Sequence, residues 1–332
     1  MAGEGARTLS EELCAVAMPT MPPPTTTTSS PPPRGASSRC PKHVFLLAAR
    51  LVATLDLTTI STRLERTASG IWTTDETSAH GPISFPDEGY DACFAIEDKS
   101  FWFAHRNECI ALALARFPFD GPFLDVGGGN GAVSRRLQME GMDTVVLEPG
   151  ADGASNARRR GLPTVVCATL EQAAFAPASF AAAGLFDVIE HVEDDEAILR
   201  AVHDIVRPNG LLAVTVPAYE WLWSAEDESA GHHRRYTLER LRDVLERSGF
   251  VVQYGTYFFS ALTVPLFLAR SLRYRLGRRS SKDVAGEAVQ QHTPHGAARR
   301  VIDTLLAPEK FAIGSGRAVP FGTSCLAIAR VR

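Results

Sequence analysis

The chain has 332 residues, 45% hydrophobic and 22% charged, with a formal net charge of −4. That length can bury a substantial core in one or two domains. The mildly acidic balance argues against a chain-wide electrostatic grip on nucleic acid. No apolar run approaches the roughly 18–20 residues of a spanning helix, which excludes an integral helical membrane protein.

Residues 19–33 hold seven prolines, five threonines and two serines. Such a stretch cannot bury enough apolar surface to offset its ordering entropy, so residues 1–41 are expected to form a disordered tail. Glu4, Glu11 and Glu12 precede it, and no secretory apolar core is present. The segment Val44 to Leu57, broken by Arg50 and Asp56, predicts a short helix. Residues 42–119 are expected to form a helical N-terminal cap. The six cysteines at 14, 40, 93, 109, 167 and 325 contain no C-x-x-C pair. Reduced thiols and a cytoplasmic location are the expectation.

From residue 120 strands and helices alternate. Phe123 to Val126 reads as a buried strand, Gly127 to Gly131 as a turn, and Ala132 to Glu140 as a helix. Thr144 to Glu148, Thr164 to Cys167 and Ala182 to Phe186 follow as strands, with Ala151 to Arg160 as a helix between the first two. Ile198, Leu199, Val202, Ile205 and Val206 recur at helical spacing until Pro208-Asn209-Gly210. Leu211 to Val216 predicts a fifth strand. Thr237 then caps a helix with Leu238, Leu241, Val244 and Leu245 on one face. This alternation implies an α/β fold with a parallel sheet covered on both sides.

Asp125-Val126-Gly127-Gly128-Gly129-Asn130-Gly131 is the most informative stretch. Glycines at the carboxyl end of a strand let the backbone approach a ligand closely. Glu148 ends the next strand, where a carboxylate can accept bonds from a ribose. Gly127, Gly129 and Ala132 also satisfy a loose dinucleotide fingerprint, so NAD is one candidate. Asp125, however, would set a negative charge beside a pyrophosphate. The same charge suits an ammonium group, which favours S-adenosylmethionine.

These residues resemble a class I S-adenosylmethionine-dependent methyltransferase of the group that includes ubiquinone and menaquinone methyltransferases. The resemblance covers residues 69–332. It rests on residues 123–131, on Val145-Val146-Leu147-Glu148-Pro149, on Leu185-Phe186-Asp187-Val188-Ile189-Glu190-His191-Val192, and on Val206-Arg207-Pro208-Asn209-Gly210-Leu211. It extends to residues 100–107, 231–237 and 319–324, which resemble an uncharacterised bacterial branch. The resemblance implies a doubly wound, Rossmann-like seven-stranded sheet, six strands parallel and the last antiparallel, with helical additions at both ends. The domain would span residues 120–332, with an apolar and basic insertion near 257–296. It also implies that Asp125, Gly127, Gly129 and Gly131 hold the methionine moiety and Glu148 the ribose. Thr169 and Leu170 would flank the adenine, with Phe186 beside the cofactor. Asn209 stands where the family has glycine, and Thr169 where many relatives have an acid.

Methyl transfer asks the protein to align an acceptor, exclude water and accept a proton. His191, His232 and Arg235 are the expected catalytic residues. The loop Gly231 to Tyr236 is expected to serve the acceptor, its arginines suiting an acidic one. Glu190, His191, His232 and His233 fit no standard metal template, and no metal is expected. Trp221 and Trp223 offer an apolar wall or simple packing. Tyr257 to Ala269 is mostly apolar and is followed by six basic residues between Arg270 and Lys282. It suits either a peripheral membrane contact or a cover for the acceptor pocket. The acceptor is expected to be a small or lipid-linked molecule. An NAD-dependent oxidoreductase and a non-catalytic binder of S-adenosylmethionine are the alternatives.

Overall fold

The computed structural model describes residues 55–74, 87–278 and 296–332. The tail at 1–41, most of the helix expected from Val44 to Leu57, and nearly all of the linker expected over 277–296 lie outside them. A short hairpin opens the described chain: β1 (Leu64–Arg66) pairs antiparallel with β2 (Trp72–Thr74). Helices α1 (Asp87–Glu97) and α2 (Phe101–Leu114) follow. Ser100 starts α2 by accepting from the amides of Trp102 and Phe103.

The alternating core then runs β3 (Phe123–Val126), α3 (Ala132–Met139), β4 (Thr144–Leu147), α4 (Ala151–Arg159), β5 (Val165–Cys167), α5 (Leu170–Ala173) and β6 (Phe180–Phe186). It continues through α6 (Asp195–Ile205), β7 (Val206–Pro217), α7 (Ala225–Ala230), α8 (Leu238–Arg247) and β8 (Phe250–Phe258). Short helices α9 (Thr263–Leu266) and α10 (Leu272–Arg275) enclose a π-turn at Phe267–Ser271, so the three form one run. Helix α11 (Ala297–Gly314) leads into the final strand β9 (Ser324–Val331).

The strand order is β1-β2-β5-β4-β3-β6-β7-β9-β8, nine strands in one sheet. The strands β5, β4, β3, β6 and β7 are mutually parallel, and β9 runs antiparallel between β7 and β8. This is the expected seven-stranded pattern, enlarged by two strands. Within residues 42–119, where a helical segment and cap are expected, the described residues hold α1 and α2 and also the β1–β2 hairpin. Trp72 buries its ring at the open edge of β5, and β2 pairs there in parallel, so β1 and β2 extend the sheet.

Side-chain alternation splits the core into two layers. Leu124, Val126, Leu185 and Val214 pack with Leu199 and Val202 of α6 and Leu241, Val244 and Leu245 of α8. Phe123, Ala182, Phe186 and Ala213 pack on the other side with Cys109, Ile110 and Leu114 of α2 and Val133 and Leu137 of α3. Asn209 adopts φ 62°, the left-handed conformation that lets it stand in for glycine at the irregularity of β7 between Val206 and Leu211. After β3 the chain winds outward through β4 and β5, then returns to β6 on the opposite flank. That reversal opens a crevice at the carboxyl ends of β3 and β4.

Candidate active site

A cavity of about 550 Å3 occupies this crevice. Its floor is the β3–α3 loop, pinned where the Gly127 amide donates to the Leu147 carbonyl over 2.8 Å. Gly131, at φ 75°, begins α3, and a Cβ there would stand 2.2 Å from Leu162 Cδ1. This glycine therefore serves close helix packing. Gly127 and Gly129 line the cavity and Gly131 does not.

Two buried carboxylates flank the loop. Asp125 is 1% exposed; its Oδ2 accepts from Ser134 Oγ at 2.7 Å, while Oδ1 has no hydrogen-bond partner among the described residues. Burial pushes its carboxyl up to about 6, against the opposing pull of Ser134 and Arg106. Glu148 is also buried. Its Oε1 accepts from the Gly150 amide at 2.7 Å and from Tyr90 Oη at 2.9 Å, and its Oε2 from the Gly129 amide at 2.7 Å. Burial raises its carboxyl as well, and these three donors counteract the rise. Thr169 caps α5 through a reciprocal bond with Gln172, which sets Thr169 and Leu170 on the cavity wall. Phe186 lines the cavity too and stacks on Phe123 with centroids 6.3 Å apart.

The far end of the cavity is built by the turn after β6. Asp187 takes φ 59° and is held between Arg106, with which it forms an ion pair, and Thr215 Oγ1 at 3.1 Å. Glu190 is fully buried and neither carboxylate oxygen has a hydrogen-bond partner among the described residues. Burial, with Asp187 nearby, raises its carboxyl well above the ordinary range. His191 and His232 line the cavity, their rings edge-to-face at 4.7 Å. Burial, then the neighbouring His232, lowers His191 to about 4, so its imidazole is neutral at pH 7. His232 Nδ1 lies 2.8 Å from Asp227 Oδ1, a partner that fixes the orientation of the ring. Ligand atoms of Glu190, His191 and His232 lie within 4.8 Å of one another, close enough to hold a metal ion, with the two histidines on the cavity wall.

Like Gly131, Arg235 is an expected site residue that does not line the cavity. Its Nε and Nη2 donate to the two oxygens of Asp227 at 2.8 Å each, and Nη1 to the Ala218 carbonyl at 3.0 Å. The guanidinium fork is thus spent on a buried partner, and Arg235 does not line the cavity. Arg234 is engaged by Asp195 at 3.1 Å, and Tyr236 Oη donates to Asp195 at 2.7 Å. Within this loop, only His232 reaches the cavity among the described residues. Among the described residues of the apolar and basic segment, 257–278, none lines it either. Sequence reasoning missed Tyr90, whose hydroxyl meets Glu148, and the Arg106–Asp187 pair. Arg106 and Asp187 stand within quoted motifs; the sequence around Tyr90 carries no comparable signal.

Residues 102–254 match the family model described as a methyltransferase domain. Among curated proteins, the chain is 32% identical over 93 residues to the ubiquinone biosynthesis O-methyltransferase of Pectobacterium carotovorum. It is 30% identical over 98 residues to the enzyme of that name from Photobacterium profundum. The first match covers 26% of this chain and 39% of the relative, so the chain spans about two fifths of that relative's length. Among solved structures, phosphoethanolamine N-methyltransferase 2 of Haemonchus contortus, in complex with S-adenosyl-L-methionine, aligns at TM-score 0.46 and 16% identity. That alignment covers 76% of this chain and 58% of the other. An S-adenosylmethionine-dependent methyltransferase of Thermotoga maritima aligns at TM-score 0.45 and 17% identity, covering 74% and 96%.

Proposed function

We propose that the chain, whose residues 102–254 match a methyltransferase domain, is a class I S-adenosylmethionine-dependent methyltransferase that transfers a methyl group to a small or lipid-linked acceptor. The observation that carries this reading is the unpartnered Oδ1 of Asp125 at the cavity wall. A buried carboxylate oxygen without a donor is costly, and a cationic amino group satisfies it. A dinucleotide would set its pyrophosphate against the same charge, which argues against the oxidoreductase alternative.

In this reading Asp125 holds the amino group of the cofactor. Glu148 keeps acceptor capacity for the ribose hydroxyls, since an ionised carboxylate offers about four lone-pair sites. Thr169, Leu170 and Phe186 flank the base and the thioether chain. Bound there, S-adenosylmethionine supplies a methyl group activated by its sulfonium. The chain's own work is to align the acceptor, keep water out and take a proton. His191 is the proposed base, because its neutral imidazole is ready to accept a proton from an acceptor hydroxyl or amine. The carboxylate of Asp187 favours the charge that His191 then carries, while His232, held by Asp227, opposes it and favours its release.

The arginines first expected to bind an acidic acceptor are engaged with Asp195 and Asp227. Phe103, Val133, Val188, Val192 and Ile198 line the cavity instead, which favours an acceptor with an apolar body. Calorimetric titration with S-adenosylhomocysteine and with NAD tests the reading. Binding of the former and not the latter is expected; the reverse result overturns it.

A further inference from the structure

The 63 residues from Ser260 to Gly322, between β8 and β9, are unlike the rest of the chain. They carry ten Lys and Arg against four Asp and Glu, a net charge of +6 in a chain of −4. They also lie outside the residues 102–254 that match the methyltransferase family. Both helices of this segment are firmly held on their inner sides. In the run from Thr263 to Arg275, buried Ser271 Oγ donates to the Leu222 carbonyl at 2.8 Å. Arg270 pairs with Glu226 at 3.2 Å, and Phe267 meets Trp221 edge-on at 5.5 Å. In α11, buried Glu309 accepts from the amides of Phe259 and Ser260, each at 2.8 Å, while Leu306 and Ile313 fill the core.

The outer sides are apolar. Val264 (65% exposed) and Leu268 (53%) lie along the first run, and Leu276 (57%) just past its end. Val301, Leu305 and Phe311 (73%) do so along α11. Val264 and Leu268 stand one helical turn apart, as do Val301 and Leu305, so each helix presents a short apolar stripe with no covering element among the described residues, with Leu276 and Phe311 adding exposed apolar surface near it. Exposed Arg273, Arg275 and Arg278 end the first stripe, and exposed Arg300 begins the second. Isolated exposed apolar residues are ordinary on a soluble protein; two stripes on one basic segment are not.

We propose that this segment docks the protein on an anionic lipid bilayer, its apolar stripes entering the headgroup boundary and its arginines meeting lipid phosphates. Charge selects this occupant. A second copy of the chain would bring +6 against +6, whereas the negative surface potential of an anionic bilayer attracts basic residues. No helix among the described residues is long and apolar enough to cross a membrane, so the contact is peripheral. The inner side of the first run packs on the segment containing Leu222 and Glu226, which leads to the cavity-lining Ala230 and His232. Docking therefore brings the acceptor end of the cavity near the lipid. That last step rests on the proposed methyl transfer; the docking itself does not.

Flotation of the full chain with phosphatidylcholine vesicles, with and without phosphatidylglycerol, tests the proposal. Binding is expected to the anionic vesicles and to weaken with salt. L268D and F311D should each lower vesicle binding about tenfold or more, from the lost burial of one large apolar side chain. R273E with R278E should abolish the preference for anionic lipid. M139D, which alters a side chain 61% exposed on α3, should change nothing. All variants should bind S-adenosylhomocysteine as the parent does, which separates failure of docking from failure of the cofactor reading. The proposal is overturned by an absence of flotation with anionic vesicles, or by flotation that L268D and F311D leave intact. A concentration-dependent dimer that L268D dissolves would also overturn it, by showing that a second copy covers this face.

Discussion

The amide of Gly129 donates to Glu148 Oε2 over 2.7 Å, tying the glycine loop after β3 to the carboxylate beyond β4. The two strands run in register, with Val126 beside Leu147, so the loop and the acid emerge side by side. Glu148 thus organises the cavity floor as well as serving, in the proposed reading, as the ribose acceptor. Replacing Glu148 with Ala should weaken S-adenosylhomocysteine binding by about 1.5–3 kcal/mol. It should also lower the melting temperature of the ligand-free protein, because Gly129, Gly150 and Tyr90 lose their common acceptor. Calorimetry and a thermal melt read the two effects separately.

Asp125 should give cofactor binding a distinctive pH dependence. Its carboxyl stands at about 6 in the fold against an ordinary 3.8. A raised carboxyl stabilises the fold while protonated, so this contribution is present below 3.8 and lost as pH rises through about 6. Binding of a cationic amino group runs the other way and should strengthen as Asp125 ionises. Affinity for S-adenosylhomocysteine should rise across this window, and in D125N it should be weaker and flat. An identical slope in the variant would assign the titration to another group.

His191 predicts acid sensitivity of the opposite sign. Its folded value of about 4 lies below the ordinary 6.5. A buried imidazole depressed in this way stabilises the fold above 6.5, and that contribution disappears as pH falls through about 4. The melting temperature of H191Q should therefore fall less on acidification than that of the parent. The difference between the two curves isolates this residue from Asp125.

The glycines should separate by role. G131A sets a Cβ 2.2 Å from Leu162 Cδ1 at a left-handed φ and should cost about 1–3 kcal/mol of stability. Gly129 has nothing within 4 Å of such an atom, although its φ is 53°. G129A should cost about 1 kcal/mol and weaken cofactor binding by a larger margin. Denaturant unfolding and calorimetry on both variants check this contrast.

R235A should behave as a stability variant. It leaves Asp227, 1% exposed, without the guanidinium that grips both of its oxygens. Burial raises the Asp227 carboxyl, but the bonds from His232 and Arg235 outweigh it and hold the group at about 2. Removing one partner of such a pair costs about 3–5 kcal/mol. The denaturation midpoint should drop, while S-adenosylhomocysteine affinity of the folded protein stays within a factor of about two.

Local chemistry made much of this molecule readable from its residues alone. The run Phe123 to Val126 is buried on both faces because a central parallel strand has helices on either side, and three apolar residues out of four announce that, Asp125 being the exception. Thr237 and Asp194 mark helix starts because their side chains accept from amides three residues on. Asp125, Gly127, Gly129 and Glu148 could be placed on one cavity because strand ends and glycine turns recur at fixed separations.

Tertiary structure decided what depends on partners distant in the chain. Arg235 reads as a free cation in a basic loop, yet Asp227 folds back from α7 and occupies its whole fork. Tyr90 lies 58 residues from Glu148 in sequence, and only the packing of α1 beside α4 brings its hydroxyl to that carboxylate. The hairpin β1–β2 joins the sheet because β5 offers an open edge to a buried Trp72, a pairing that three-residue strands do not declare. Hydrophobic periodicity and turn chemistry act over a few residues and leave their mark in the sequence. Which charge neutralises which, and which edge is covered, is settled by contacts between segments that sequence order does not pair.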